Sequence, residues 1–253
     1  MKLTEVNFWN NYWRNYKLPS VVDFTFSFER CLADKLREHL RGATGDAIEI
    51  GCAPGKWLAF LSKELGLNVH GIEYSDSGMA ATVENFRLLN LDISSIKTGD
   101  FFKINPEPKF DVVMSLGFIE HFDNPNYVLD LHLKWLKPGG ILVIGVPNFT
   151  GINGTIQKIL DKSIIDKHNL NIMNLEYFTS LTKTFNLNTI FLGYICSFEP
   201  SLFISNNKFG NPLKFFVKLI LRFMILIRKF DFIDKLNNKL YSSYILGVYK
   251  KEE

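Results

Sequence analysis

Ala47-Ile48-Glu49-Ile50-Gly51-Cys52-Ala53-Pro54-Gly55-Lys56-Trp57 decides how this chain is read. A short apolar strand runs into a glycine-rich bend, and a helical pattern from Trp57 to Leu65 follows. Bends of this kind offer backbone N–H groups to anions. The stretch ends in Gly-Lys, yet it is no phosphate loop. Three residues separate Gly51 from Gly55-Lys56 where four are needed, and Trp57 stands where a hydroxyl would hold magnesium. The dinucleotide fingerprint fails as well. Its glycine positions fall on Gly51, Ala53 and Lys56, and a lysine at the third crowds the approach of a pyrophosphate to the helix start. On its own the stretch is equally an ordinary β–α turn.

Outward from it the pattern alternates. The spacing predicts strands at Ala47–Ile50, Asn68–Ile72, Ser94–Thr98, Phe110–Leu116, Ile141–Val146, Asn188–Cys196 and Tyr244–Tyr249. Helices are predicted at Phe28–Arg41, Trp57–Leu65, Ser77–Leu89, Asn126–Leu136, Leu175–Phe185 and Leu213–Lys229. Lys137-Pro138-Gly139-Gly140 reads as a stop after the helix that ends at Leu136. Strands alternating with helices imply βαβ units, a mostly parallel sheet and an α/β, doubly wound fold. Near-continuous apolar runs such as Ile141–Ile144 suit strands covered on both faces. At the start, Phe8, Trp9, Tyr12, Trp13 and Tyr16 recur at helical spacing within residues 5–16, giving an amphipathic helix with an aromatic face. That face either packs on the core or caps a ligand. The domain reading is a helical cap over 1–42 and one α/β domain over 43–253, with 150–187 and 200–240 as substrate-side segments.

Ligands in such sheets sit at the carboxyl ends of the first strands. Those ends carry groups suited to a nucleoside. Glu73 stands 22 residues after Gly51, where an acid accepts hydrogen bonds from ribose hydroxyls. Asp100, in Thr98-Gly99-Asp100-Phe101, can take an adenine amino proton or simply cap a turn, and Phe101 can pack beside a base. Gly117, after Ser115-Leu116, lets backbone approach a ligand. Ribose and adenine are provided for; pyrophosphate is not.

Read together, these segments resemble the class I S-adenosylmethionine-dependent methyltransferases. Ala47 to Gly55 is similar to the first motif and Gly71-Ile72-Glu73-Tyr74-Ser75 to the second. Thr98 to Phe101 is similar to the third, and Phe110 to Ser115 with Glu120-His121 to the fourth. Leu136-Lys137-Pro138-Gly139-Gly140 is similar to the turn before the fifth strand. The matches run through residues 45–150 in order. The resemblance implies a Rossmann-like fold of seven strands with the last antiparallel, S-adenosyl-L-methionine as cofactor, and a methyl acceptor among small molecules, glycans or lipid-linked compounds. It implies cofactor contacts at Glu49, Gly51, Cys52, Ala53, Gly55, Trp57, Glu73, Tyr74, Asp100, Phe101, Ser115 and Gly117. Glu49 would meet the methionine amino group. Glu120-His121 and Lys167-His168-Asn169-Leu170 look most like the bacterial quinone-type and sugar-type branch. Two departures stand out: Ala53 where the family has glycine, and Lys56-Trp57 in place of small or polar residues. Ala-Pro-Gly before Trp is similar instead to ribosomal-RNA ribose methyltransferases, but their acid near the end of the fourth strand is absent at Ser115-Leu116. Methylation of RNA and non-catalytic cofactor binding are the competing readings, and nucleic acid is not the expected partner.

Methyl transfer needs an acceptor held about 3 Å from the methyl, in line with the leaving sulfur. A base helps if the acceptor is a hydroxyl. His121 is the first candidate, because an unshifted imidazole titrates near neutrality, and His168 is the second. No metal site is read. Cys31, Cys52 and Cys196 are scattered and odd in number, so neither a disulfide framework nor a zinc site is expected. Met1 to Glu5 begins no visible signal peptide, and the expected compartment is the cytoplasm.

The net charge of +3 is uneven: residues 201–253 hold ten Lys/Arg and four Asp/Glu. In Leu213–Ile227 the charges Lys214, Lys218 and Arg222 recur every fourth residue and form one stripe on a helix. Its twelve apolar residues favour insertion by about 4–7 kcal/mol, but three central charges cost about 8–10 kcal/mol. It is also shorter than the roughly 20 residues a span needs. The readings left are a lid, a dimer face, or peripheral membrane contact through 211–230.

Overall fold

The computed structural model of the chain describes residues 2–107, 109–203, 212–227 and 236–253. The strands among them are β1 (Asp46–Ile50), β2 (Asn68–Glu73), β3 (Ile96–Thr98), β4 (Phe110–Leu116), β5 (Leu136–Pro147), β6 (Leu187–Ile195) and β7 (Tyr244–Lys251). They form one sheet in the order β3-β2-β1-β4-β5-β7-β6. β7 runs antiparallel to both of its neighbours, and the other pairings are parallel. The doubly wound arrangement expected from the alternation is therefore present, with its last strand reversed.

The helices are α1 (Val6–Trp13), α2 (Ser27–His39), α3 (Lys56–Leu65), α4 (Asp76–Leu88), α5 (Pro125–Trp135), α6 (Ile152–Ile165), α7 (Leu175–Phe185) and α8 (Pro212–Ile227). The period of two along each strand sorts side chains to the two faces of the sheet. Ala47, Val112, Met114, Val143 and Leu246 meet Leu32 and Leu36 of α2, Leu40 just after it, and Phe60 and Leu61 of α3. Ile48, Ile50, Val113, Leu142, Ile144 and Ile245 meet Val128, Leu129 and Leu133 of α5 and Phe178 and Leu181 of α7. Each large apolar side chain contributes about 1.5–3 kcal/mol on leaving water. Capping fixes the helix starts that face the strand ends: Ser75 Oγ accepts from Gly78 N, and Asn124 accepts from Tyr127 N one residue before Pro125.

Several elements differ from their expectation. Lys137 to Gly140 is strand, not a stop. β5 begins at Leu136 opposite Phe110, and the register then jumps so that Ile141 faces Val112, leaving the extra residues as a bulge. α6 lies in the segment 150–187, where only α7 was expected. It contains Gly154 and a non-helical residue at Asp161 (φ −157°, ψ 97°), so no unbroken helical period marks it. Within 1–42, read as a cap, α2 belongs to the layer covering the sheet and only α1 lies outside that layer. In α8, Lys218 is 6% exposed while Arg222 is exposed, so the charged stripe does not face solvent as a unit. Arg228, Lys229 and parts of the 200–240 and 211–230 segments lie outside the described residues. No helix among the described residues is long and apolar enough to cross a membrane.

Phe86 of α4 is fully buried against Cys52, Leu58 and Ile96, beneath the bend after β1. Phe86→Ala is expected to cost about 3–5 kcal/mol, read as a lowered midpoint of urea unfolding. A loss below about 1 kcal/mol would contradict this packing.

Candidate active site

The bend after β1 is built by two glycines that do different work. Gly51 (φ +75°) turns the chain, and a Cβ there would lie 2.7 Å from Phe118 Cδ2. Gly55 (φ +82°) opens α3, and a Cβ there would lie 2.7 Å from Phe86 Cε2. The first faces a cavity and the second faces the core. Between them the N–H groups of Gly51 and Cys52 donate to Ile72 O, at 2.9 and 3.3 Å, which binds the bend to the end of β2.

Glu73 completes that joint. Its Oε2 accepts from Ala53 N at 3.2 Å, and its Oε1 accepts from Ser75 N and Ser75 Oγ, both at 2.8 Å. Three donors from two loops thus fix one carboxylate on the cavity wall. Glu49 is held differently. It is 3% exposed and its Oε2 has no hydrogen-bond partner. Burial, then the nearby Glu73, raise its pKa well above the usual carboxyl range. A carboxyl in that state calls for a cationic or donating ligand group.

The cavity has a volume of about 440 Å³, in the range of small-molecule sites. Phe8, Trp9, Tyr12, Trp13 and Tyr16 from α1 and the turn after it line it, so the aromatic face covers the cavity. Asn10 Oδ1 accepts from Ser77 N at 3.0 Å and docks α1 on the first turn of α4. Asp100 does two things: Oδ1 accepts from Phe102 N at 3.2 Å, as a turn residue does, and Oδ2 pairs with Lys2 Nζ at 3.2 Å. Lys2 Nζ also lies 3.9 Å from the centre of the Tyr74 ring. Phe101 lines the cavity but is 5% exposed and packs edge-on against Phe118 and His132.

The two histidines expected as bases come together. Their rings lie 4.5 Å apart, and Trp9 packs edge-on against His121 at 5.0 Å. His121 Nδ1 contacts Lys167 O at 2.9 Å and His168 Nδ1 contacts Ile164 O at 2.6 Å. A backbone carbonyl can only accept, so each Nδ1 carries the hydrogen and each Nε2 keeps its lone pair. Burial, then His168 beside it, lower the His121 pKa to about 3, against the near-neutral value expected from its residue type. His168 is lowered too, by burial first. Glu120 goes the other way: 1% exposed, with Oε2 unpartnered, it is raised to about 8 by burial. Glu120, His121 and His168 each offer a ligand atom within 4.8 Å of the others, a set that can hold a divalent cation.

Of the site residues named from the sequence, Gly55 and Ser115 do not line the cavity; Ser115 Oγ is buried without a partner. Glu49, Gly51, Cys52, Ala53, Trp57, Glu73, Tyr74, Asp100, Phe101, Gly117, His121 and His168 do line it. The unusual Lys56 is accounted for by its ion pair with Glu29 of α2, and Trp57 packs edge-on against Phe60. Sequence reasoning missed Lys2 and Tyr244, which also line the cavity, and named Glu120 only as part of the fourth motif. Residues 24–191 match a family model described as a methyltransferase domain. The chain belongs to the class I S-adenosylmethionine-dependent methyltransferases.

Relatives of this methyltransferase include the mitochondrial ubiquinone biosynthesis O-methyltransferase of Dictyostelium discoideum, 29% identical over 115 residues, 42% of this chain and 36% of the relative. The ubiquinone biosynthesis O-methyltransferase of Bradyrhizobium diazoefficiens is 30% identical over 101 residues, 40% of this chain and 39% of the relative. These matches therefore span well under half the length of either relative. Among solved structures, a SAM-dependent methyltransferase from Archaeoglobus fulgidus superposes with a TM-score of 0.57 at 19% identity, covering 87% of this chain and 93% of that one. Phosphoethanolamine N-methyltransferase 2 of Haemonchus contortus, in complex with S-adenosyl-L-methionine, gives 0.60 at 17% identity over 97% and 56%. At such identities the likeness is one of fold.

The raised pKa of Glu120 makes stability depend on pH. Its folded value of about 8 lies above the ordinary 4.5, so its contribution is full below pH 4.5 and is lost as pH rises through 8. Glu120→Gln removes that loss. Thermal melts of metal-free protein should show the variant gaining on wild type as pH rises from 4.5 to above 8; a pH-independent difference would refute the assignment.

Proposed function

We propose that this chain moves a methyl group from S-adenosyl-L-methionine to an oxygen of a small-molecule, sugar or lipid-linked acceptor, with nitrogen as the lesser alternative. One observation carries the reading: Glu49, Glu73 and Asp100 line a single cavity together with Glu120, His121 and His168. The bound cofactor supplies a methyl group on a positively charged sulfur. Glu73, oriented by Ala53 and Ser75, accepts from the ribose hydroxyls. The unpartnered Oε2 of Glu49 takes the methionine amino group, whose positive charge offsets the cost of burying the acid. Asp100 and Tyr74 receive the adenine.

The acceptor side falls to the histidines and Glu120. His121 Nε2 has a lone pair for the hydrogen of an acceptor hydroxyl, and α1 keeps water away with its aromatic face. At a pKa of about 3 the imidazole orients that hydroxyl and does not take its proton. Glu120, at about 8, is the group whose basicity suits the operating range. The O-methyltransferase names of the two relatives support oxygen as the methylated atom.

The deciding experiment is mass spectrometry of an acceptor pool incubated with methyl-labelled cofactor, with one labelled methyl gained as the expected result. Glu73→Ala is expected to weaken cofactor binding by about 10–100-fold in calorimetry; unchanged affinity would refute its ribose role. On the identified acceptor, kcat/KM should rise with pH through about 8. Glu120→Gln should flatten that rise and lower kcat by about 10²–10⁴-fold.

A further inference from the structure

α8 presents the wrong face to water. Phe215, Phe216, Leu219, Ile220 and Phe223 are 47%, 58%, 53%, 59% and 63% exposed, while Lys218 and Leu221 are 6% and 2% exposed. At 100° per residue the five exposed side chains fill an arc of about 140°, and Arg222 sits at its edge. An amphipathic helix packed on a core shows the opposite order, apolar inward and charged outward. α8 packs against α6 and the short turn Pro200–Phe203, and those two elements also carry exposed apolar side chains, Ile152 at 41% and Leu202 at 46%.

We propose that α8 docks this protein on the surface of an anionic lipid bilayer. Charge selects this occupant. Residues 201–240 carry eight Lys/Arg against two Asp/Glu. α8 carries no acidic residue, so a second copy docked through the same arc would offer α8 nothing negative to meet Arg222. A bilayer offers an apolar interior beneath negative headgroups, which matches an apolar arc edged by base. Arg222 keeps its guanidinium at headgroup level while the phenylalanines enter the acyl boundary. α6 joins the docking face to the cavity, since Ile164, on its last turn, lines the cavity wall. Resting on the proposed methyl transfer, this places the acceptor among molecules that partition into lipid.

The test is flotation of the full chain with phosphatidylcholine vesicles with and without phosphatidylglycerol. Wild type should float with the anionic vesicles, less so as salt rises. The double variant Phe216→Asp with Phe223→Asp should weaken vesicle binding by about tenfold or more, and Arg222→Glu should remove part of the salt-sensitive binding. Melting curves and cofactor calorimetry, expected to match wild type, show that the variants are folded. Absence of flotation with anionic vesicles, or retention of it in the double variant, would overturn the proposal. So would a lipid-free dimer in light scattering that the double variant splits. Loss of cofactor binding in wild type would instead sink the methyl-transfer reading and leave the vesicle result standing.

Discussion

Glu73 is the constraint on which this site depends. Its two oxygens accept from Ala53 N, Ser75 N and Ser75 Oγ, and so tie the bend after β1 to the turn into α4 while Oε2, with a single donor, keeps a free lone pair. Without that carboxylate two loops lose their shared acceptor, and the half-buried amide of Ala53 loses its partner. Glu49 is its counterpart. The two acids are close enough to raise the Glu49 pKa, and the protein gives each Glu73 oxygen at least one donor while leaving an oxygen of Glu49 bare. A site that meant to be complete without a ligand would not be built so, because an unpartnered buried carboxyl costs free energy. The proposed place of the methionine amino group rests on that asymmetry between the two acids.

Elements remote in sequence close the cavity that these acids line. Leu3 N donates to His121 O at 2.8 Å, and Lys2 bridges Asp100 and Tyr74. The first residues are therefore laid across the ends of β2, β3 and β4. α1 has no buried residue of its own, so its aromatic face is committed to the cavity and not to the core. This resolves the choice that periodicity leaves open: helical spacing shows that five aromatic residues share a face, and only the tertiary fold shows what the face covers.

The same limit separates what was legible in the sequence from what was not. β1, α3, β2 and β4 were readable because each is apolar at one period and ends in a glycine, a cap or a charged residue. The carboxyl ends of β1, β2, β3 and β4 then placed Glu49, Glu73, Asp100 and Gly117 on one edge without further information. Gly55 and Ser115 share that edge in sequence but point elsewhere, because a bend and a strand both alternate their directions over one or two residues. α6 was hidden by Gly154 and the break at Asp161. Lys2 lies 98 residues from Asp100, and no local pattern encodes such a pair. In α8 the four-residue spacing of charge does not encode that Lys218 points inward while Arg222 is exposed; that follows from packing alone.

Burial also explains why residue type misleads at His121 and Glu120. Their facing atoms, Nε2 and Oε1, are 3.9 Å apart, near enough for an ion pair. Yet taking a charge of either sign out of water is costly, and one long contact does not repay two such charges. The same penalty therefore drives the imidazole down to about 3 and the carboxyl up to about 8. At neutral pH the pair holds its single proton on the acid, and both groups are uncharged. An imidazole read alone is the obvious base near pH 7, but here the ordering of proton affinities is inverted. In the proposed reaction the proton released by an acceptor hydroxyl ends on the carboxylate form of Glu120, with His121 as the neutral group that holds the acceptor in place.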